Sequence, residues 1–228
     1  MLTSEVIYKT IYSYLENHPD IENLDAYLKT WTRAKLCSSP GSVGELINLC
    51  LSLQDDIRQK ANKAAGKGNI EKGMQAVIKS ASKANISGMA GYFLSNGLPT
   101  VCDGFRLIRS KVQFDIGEPV QGIDAQKILD GNARDAGTEL ELPSLGELKS
   151  YIKLQKLENS SRSKSDRAKG ITYDFGEEKP KLNAEYLLDM LTAFPDARAY
   201  YDSQSTNLSP VYFNSETGEG IVLPVWKR

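Results

Sequence analysis

The residues of this chain that could do chemistry are mostly carboxylates. His18 is the only histidine among 228 residues, so a two-histidine metal motif is excluded, and a Ser-His-Asp triad and most histidine-based acid-base schemes are implausible. The acidic residues that could converge on a magnesium ion are Asp103, Asp115, Glu118 and Asp124. Nothing in their spacing selects such a site, and acidic residues are common beside turns. A metal-dependent nuclease is the enzymatic alternative, but we expect no catalytic site, no metal and no cofactor.

The three cysteines are too few and too scattered for a disulfide framework or a zinc site. They are Cys37, Cys50 and Cys102, and we interpret them as small buried hydrophobic residues. The chain has 28 Lys plus Arg against 29 Asp plus Glu, a net charge of -1. Such a balance argues against coating of nucleic acid by the whole surface, so only a local basic patch could bind it.

The distribution of apolar residues predicts a protein without membrane association. No stretch approaches the roughly 20 apolar residues that cross a bilayer, and the first residues lack the basic start and apolar run of a signal peptide. We therefore expect a cytoplasmic protein.

The first third of the chain has the apolar periodicity of helices, which predicts a helical segment over residues 1–68. The clearest signal is Ser42 followed by Glu45, a capping box in front of an apolar run that reaches Ile57. A further helix carries Met74, Val77, Ile78 and Ala81 on one stripe, with lysines elsewhere on its surface.

From Gly88 onward the pattern is that of short strands. Met89–Ser95, Leu98–Cys102 and Phe105–Arg109 are rich in β-forming residues. They are separated by Asn-Gly and Asp-Gly, the two strongest hairpin dipeptides. We expect a β-meander here, followed by at most one short helix near Ala125–Leu129.

The rest of the chain repeats this order of elements. Thr138–Leu142 alternates like a strand, and Ser144 with Glu147 predicts the start of a helix that ends near Leu157. After a polar, basic loop at 159–170, the pattern predicts a strand, a helix capped by Asn183 and three final strands. These three are Ala197–Asp202, Pro210–Phe213 and Gly220–Trp226.

Two separated stretches resemble one protein family. Leu182–Leu191, Leu208–Val211 and Gly220–Val225 resemble the closing half-domain of the bacterial DNA polymerase III β sliding clamp. In that family a helix opens with Asn-Ala-Lys-Tyr-Leu-Leu-Asp, a Ser-Pro turn enters a strand, and a Met-Pro strand ends the chain. Cys102–Leu107 is similar to the family's Thr-Asp-Gly-His-Arg-Leu hairpin. The resemblance covers roughly residues 69–228.

The expected fold is α+β: the helical segment 1–68 has no counterpart in the family, and the resemblance implies that 69–228 form a DNA-clamp-like domain of two helix-on-antiparallel-sheet halves. It implies a non-catalytic binding or scaffolding module of DNA replication or repair. Its expected partners are duplex DNA, bound weakly and without sequence preference, and short linear peptides of replication proteins. The peptide-groove candidates are Gly104, Phe105, Arg106, Leu107, Val222, Leu223, Pro224 and Val225. The DNA-contact candidates are Lys72, Lys79, Lys83, Arg162, Lys164, Arg167 and Lys169.

The chain departs from the family in length and in charge. The family chain has several such domains and dimerises into a ring, whereas this chain has room for one, so a ring would need a homo-oligomer of about six copies. The helix that follows Asn183 carries Glu185 and Asp189 but no Lys or Arg, so it offers phosphates repulsion. An adaptor that keeps the clamp fold without binding DNA is therefore the alternative.

The candidate residues also have ordinary structural interpretations. Arg106 could pair with a nearby carboxylate and stiffen its hairpin, and the strand residues Phe105, Leu107, Leu223 and Val225 could be core. The lysines could be a solvated helix face, and the basic loop could be a linker.

Overall fold

The computed structural model describes residues 55, 57–86, 89–117, 119–130, 137–160, 170–204 and 209–225. The predicted helices before residue 55, with the Ser42 capping box, lie outside this part, as do most of the basic loop and two of the three cysteines. The chain divides into two compact units, Met1–Arg58 and Gln59–Arg228. Within the second unit, the Asn62 side chain donates hydrogen bonds to Glu71 Oε2 (2.9 Å) and to the Asp115 carbonyl (3.1 Å).

The elements of the second unit alternate between helices and short strands. Helical residues 59–64 come first. The elements that follow are α1 (Gly68–Lys83), β1 (Phe93–Ser95), β2 (Leu98–Cys102), β3 (Arg106–Ser110), α2 (Ala125–Asp130), β4 (Thr138–Leu140), α3 (Leu145–Ser160), β5 (Thr172–Asp174), β6 (Lys181–Asn183), α4 (Ala184–Ala193), β7 (Arg198–Tyr201), β8 (Val211–Asn214) and β9 (Gly218–Val222).

Local sequence signals account for several of these boundaries. The Asn183 side chain caps α4 by accepting hydrogen bonds from the amides of Glu185 and Tyr186. At α3 the predicted capping box is confirmed, since the Glu147 amide donates to Ser144 Oγ (3.2 Å) and the Ser144 amide to Glu147 Oε2 (2.8 Å). The β1–β2 turn is also as predicted: Asn96 and Gly97 both have positive φ, 53° and 74°, as a type I′ turn requires.

The strands form one antiparallel sheet of seven strands, in the order β1-β2-β3-β9-β8-β7-β4, and a separate hairpin of β5 and β6. Apart from β4 at one edge, the sheet order is symmetric about the β3–β9 pair, in which Ile108 lies opposite Gly220. On one side of that pair lie β2 and β1, and on the other side lie β8 and β7. Each set of three strands follows a helix in the chain, α1 or α4. The mixed α+β class is thereby confirmed.

Both faces of the sheet bury apolar side chains. Ile108 and Val222 belong to the larger core cluster, together with Met74 of α1 and Met190 of α4. The alternate strand residues form a second cluster with Ala125 and Leu129 of α2, namely Phe93, Cys102, Leu107, Tyr212 and Ile221. Because side chains alternate along a strand, α2 covers the face of the sheet opposite to α1 and α4.

Gly73 allows α1 and α4, which pack on the same face of the sheet, to approach each other closely. A Cβ atom at this position would lie 2.5 Å from Ala193 Cβ and 3.0 Å from the Asp189 carbonyl oxygen. Both of these belong to α4, so α1 and α4 are in backbone contact at the glycine. A side chain there would separate them.

Several strands differ in length from their predictions. The first predicted strand shrinks to Phe93–Ser95, because residues 89–91 form a turn and a bend. The last one shifts to Gly218–Val222, and Pro224, which has no amide hydrogen to donate, lies beyond its end. Helix α3 extends to Ser160 rather than Leu157. Within the described residues, no helix is long and apolar enough to cross a membrane.

Candidate functional site

The two predicted halves of the peptide groove lie side by side within this single chain. The β3–β9 ladder places Arg106 opposite Val222. One residue beyond it, the Leu223 amide donates a 2.9 Å hydrogen bond to the Phe105 carbonyl. The chain then continues to Val225, whose amide donates to the Lys181 carbonyl at 2.7 Å. Residues 104–107 and 222–225 are therefore neighbours without a second domain.

The eight groove candidates divide into exposed and buried residues. Phe105 is 51% exposed and Leu223 is 37% exposed, whereas Leu107 and Val222 are buried in the two core clusters. Gly104 is exposed, Val225 is half-buried and Pro224 is buried. The core interpretation thus holds for Leu107 but not for Phe105 or Leu223.

Phe105 and Leu223 form the exposed centre of an apolar surface, with Tyr186 beside Phe105. The Phe105 and Tyr186 rings have centroids 6.2 Å apart, within the range of aromatic contact. Tyr186 is half-buried at the start of α4, and burial raises the pKa of its hydroxyl. We call Phe105, Leu223 and Tyr186 the Phe105–Leu223 surface.

Arg106 fixes the hairpin beneath this surface. Its side chain is 3% exposed, and Nε donates a 3.0 Å hydrogen bond to Asp103 Oδ2. Nη1 donates to Asp189 Oδ2 of α4, and the guanidinium carbon lies 4.3 Å from the centroid of the Tyr186 ring. The interpretation that Arg106 pairs with a nearby carboxylate is confirmed, and its charge is used inside the fold.

Asp103 holds the turn and the arginine together. Its Oδ1 accepts hydrogen bonds from the amides of Phe105 and Arg106, both at 3.0 Å, and the residue is 1% exposed. Gly104 supplies the left-handed backbone that the turn needs, with φ of 84°. At Asp189, burial raises the pKa of the carboxyl and the Arg106 charge opposes that rise.

Cys102, which precedes this turn, is buried, as its composition-based interpretation predicts. Burial raises the pKa of its thiol. At neutral pH the thiol is therefore protonated, which makes it a poor nucleophile.

The other acidic candidates serve separate turns. Asp115 Oδ1 accepts from the Gly117 amide at 2.8 Å, and Asp124 Oδ1 accepts from the Lys127 amide at 3.2 Å at the start of α2. Glu118 lies outside the described residues. Across the part of the chain that the structure describes, no three His, Cys, Asp or Glu side chains form a group able to hold a metal ion. Among the described residues, Asp103, Asp115 and Asp124 therefore form no such group.

The described DNA-contact candidates form one stripe on α1. Lys72, Lys79 and Lys83 are all exposed, and their spacings of seven and four residues place them on one side of the helix. Arg162, Lys164, Arg167 and Lys169 lie outside the described residues. Neighbouring α4 carries no basic side chain in its sequence.

The sequence patterns did not predict two groups of interacting or clustered side chains. The first is a buried network under α2, in which Arg109 Nε donates to Glu219 Oε1 at 3.0 Å and Nη1 donates to Gln126 Oε1 at 2.6 Å. Tyr212 completes it with a 2.6 Å hydrogen bond to Glu219 Oε2. Only knowledge of the β3–β9 register, which places Arg109 opposite Glu219, would have revealed this group.

The second missed group lies on α3. Lys149, Lys153 and Lys156 are exposed there, as are Leu154 and Leu157. The helical spacing of the lysines is visible in the sequence and could have identified the stripe.

The described elements define a mixed α+β protein with helices on both faces of an antiparallel sheet. Comparisons of the chain with models of protein families, with curated proteins and with solved structures give no match. The resemblance to sliding clamps therefore stays a prediction drawn from the sequence.

Proposed function

We propose that the second unit is a DNA-clamp-like domain that acts without catalysis, as a binding and scaffolding module of DNA replication or repair. The observation that supports this proposal best is the symmetric order of the sheet. A helix and three antiparallel strands occur twice, as α1 with β1–β3 and as α4 with β7–β9, and the two halves join through β3 and β9. This order of elements supports the two helix-on-sheet halves that the resemblance implies.

Under this proposal, duplex DNA contacts the helical face of the sheet through the α1 lysines. The carboxylates of neighbouring α4 repel DNA phosphates less than their number indicates. Asp189 is paired with Arg106, and Glu185 forms a 2.7 Å ion pair with Lys156. Contacts of three lysines with phosphates give weak, sequence-independent binding that falls steeply with salt.

The Phe105–Leu223 surface would capture short linear peptides of partner proteins. An exposed phenylalanine beside a half-buried tyrosine offers the kind of apolar anchor point on which peptide recognition depends. The turn that carries it is held rigidly by Asp103 and Arg106, so little ordering entropy would be lost on binding.

One observation favours an adaptor that keeps this arrangement without DNA. Helix α4 presents Glu185 and Asp189 and no basic residue, and the whole chain has a net charge of -1. In that case the peptide surface alone would be functional.

Fluorescence anisotropy with a labelled duplex, titrated at several salt concentrations, separates these two functions. The clamp function predicts binding at low salt, and Lys79→Glu should lower the slope of log affinity against log salt by about one. Lys127→Glu is the matched control, because Lys127 is an exposed lysine of α2 on the opposite face of the sheet. Absence of binding at low salt, or equal effects of both variants, would contradict DNA contact through α1 and leave the adaptor.

Oligomeric state tests the ring itself. The sheet ends at β1 on one side and β4 on the other, so a closed assembly would join these edges between copies. Native mass spectrometry should then find a closed oligomer. A monomer at all concentrations cannot encircle DNA and would contradict the ring.

A further inference from the structure

A shallow groove runs along α3 on a different part of the second unit. It has a volume of about 400 Å³ and is lined by Lys149, Ile152, Lys153, Lys156, Leu157 and Leu188. Five of these belong to α3, and Leu188 comes from α4, which packs against it. Ile152 is buried and Leu188 is half-buried, so the groove has an apolar base.

Leu157 is the exposed apolar residue of this groove. It is 62% exposed, whereas Leu148 and Ile152 of the same helix are buried in the larger core cluster. Exposing an isolated leucine is common. Here, however, it lines a concave site whose base is also apolar, and burying it against a partner would stabilise a complex.

The charges at the groove have one sign. Lys149, Lys153 and Lys156 are spaced by four and three residues, which places them on one stripe of α3. Lys156 forms the ion pair with Glu185 of α4. Among the residues that the structure describes, no carboxylate forms an ion pair with Lys149 or Lys153. Two ammonium groups beside an apolar base are thus available to a ligand.

We propose that this groove binds an acidic amphipathic segment of a partner protein. The apolar side chains of the segment would pack on Ile152 and Leu188 beside Leu157, and its carboxylates would lie opposite Lys149 and Lys153. This is the helix-in-groove mode of peptide recognition. A DNA backbone matches the lysines but offers no apolar group to Leu157, so charge and hydrophobicity together favour the peptide.

The proposal does not depend on the clamp function, since the groove is formed by α3 and α4 and includes neither the α1 lysines nor the Phe105–Leu223 surface. Failure of DNA binding would leave it unaffected. Failure of peptide binding at the groove would likewise leave the clamp function untouched.

The test uses the full chain and a fluorescein-labelled synthetic peptide in which glutamates and leucines alternate with helical period. Anisotropy should show binding that weakens with salt. Leu157→Ser should weaken it about tenfold, the effect of leaving one leucine side chain unburied. Lys153→Glu should weaken it to a similar degree and reduce the dependence on salt. The matched controls are Leu94→Ser, at a residue of β1 that is 50% exposed, and Lys127→Glu, at an exposed lysine of α2, and both should bind normally.

Three results would overturn the proposal. The first is equal binding of a control peptide with serine in place of every leucine, which would mean charge attraction only. The second is binding of anionic phospholipid vesicles or duplex DNA with the same sensitivity to Leu157→Ser. The third is self-association of the chain that is lost in Leu157→Ser, which would assign the groove to a second copy. Because Leu157 and Lys153 are exposed, these variants should fold, and circular dichroism checks that they do.

Discussion

Replacing Arg106 by methionine tests whether the hairpin under the Phe105–Leu223 surface depends on a buried ion pair. Removing one partner of a buried pair costs about 3–5 kcal/mol, because the other charge is left in a low-dielectric site. Two features of the structure determine the position within that range. Asp103 is 1% exposed but keeps two backbone hydrogen bonds at Oδ1, while the Asp189 side chain is 27% exposed and can be hydrated.

The loss in the free energy of unfolding should therefore come mainly from Asp103 Oδ2, which would be buried without its hydrogen-bond donor. It should be about 3 kcal/mol, near the lower end of that range. Urea unfolding followed by circular dichroism measures it. Arg198→Met is the matched control, because Arg198 is exposed on β7, and its effect should stay within about 0.5 kcal/mol.

A double-variant cycle then assigns the loss to the pair. Asp103→Asn keeps an oxygen for the two turn amides and removes the charge, so Arg106→Met should cost less in that background by about 1–3 kcal/mol. A loss below about 1 kcal/mol for Arg106→Met alone would mean that this buried pair stabilises the fold no more than an exposed ion pair does. It would refute the view that Arg106 holds the hairpin.

Two further predictions concern helix contact and pH. Gly73→Ala should destabilise the fold by about 1–3 kcal/mol through overpacking, because the new Cβ would lie 2.5 Å from that of Ala193. The control Gly146→Ala in α3 would meet only Ser144 Oγ, at 4.0 Å, and should stabilise the fold by about 0.5–1 kcal/mol. Urea unfolding in which both variants change stability in the same direction would contradict the close approach of α1 and α4. At Asp196, partial burial raises the pKa, but hydrogen bonds, first from Ser215 Oγ (2.8 Å), lower it more, so the net shift is downward. The contribution of ionised Asp196 to the stability of the fold is therefore fully present above the unfolded pKa of about 3.9 and is lost as the pH falls through the folded value. Ser215→Ala should raise the pKa of Asp196, which a carboxyl-carbon NMR titration measures. An unchanged pKa in this variant would contradict the prediction.

The elements could be predicted where their signals are local. The Asn96-Gly97 turn, the Ser144 capping box and the Asn183 cap each depend on residues a few positions apart, and all three appear in the structure. Helix α2 at Ala125–Asp130 also matches its prediction near Ala125–Leu129. Such features depend on backbone hydrogen bonds and φ preferences that neighbouring residues determine.

What depends on long-range pairing could not be predicted. The burial of Arg109 against Glu219 follows from the β3–β9 register, which no local signal in the sequence gives. The different fates of Leu107, which is buried, and Phe105, which is exposed, depend on where the ladder ends. A period-two pattern alone assigns both to the same face.

The charge of α4 shows how pairing changes a conclusion drawn from sequence. Counted alone, Glu185 and Asp189 without a basic residue predict repulsion of phosphates. In the fold Asp189 receives the Arg106 guanidinium from β3, and Glu185 receives the Lys156 ammonium from α3. Both carboxylates are thus opposed by cations that belong to other elements. The net field along this helical face then depends mainly on the exposed lysines of α1 and α3, and DNA contact is compatible with an acidic α4.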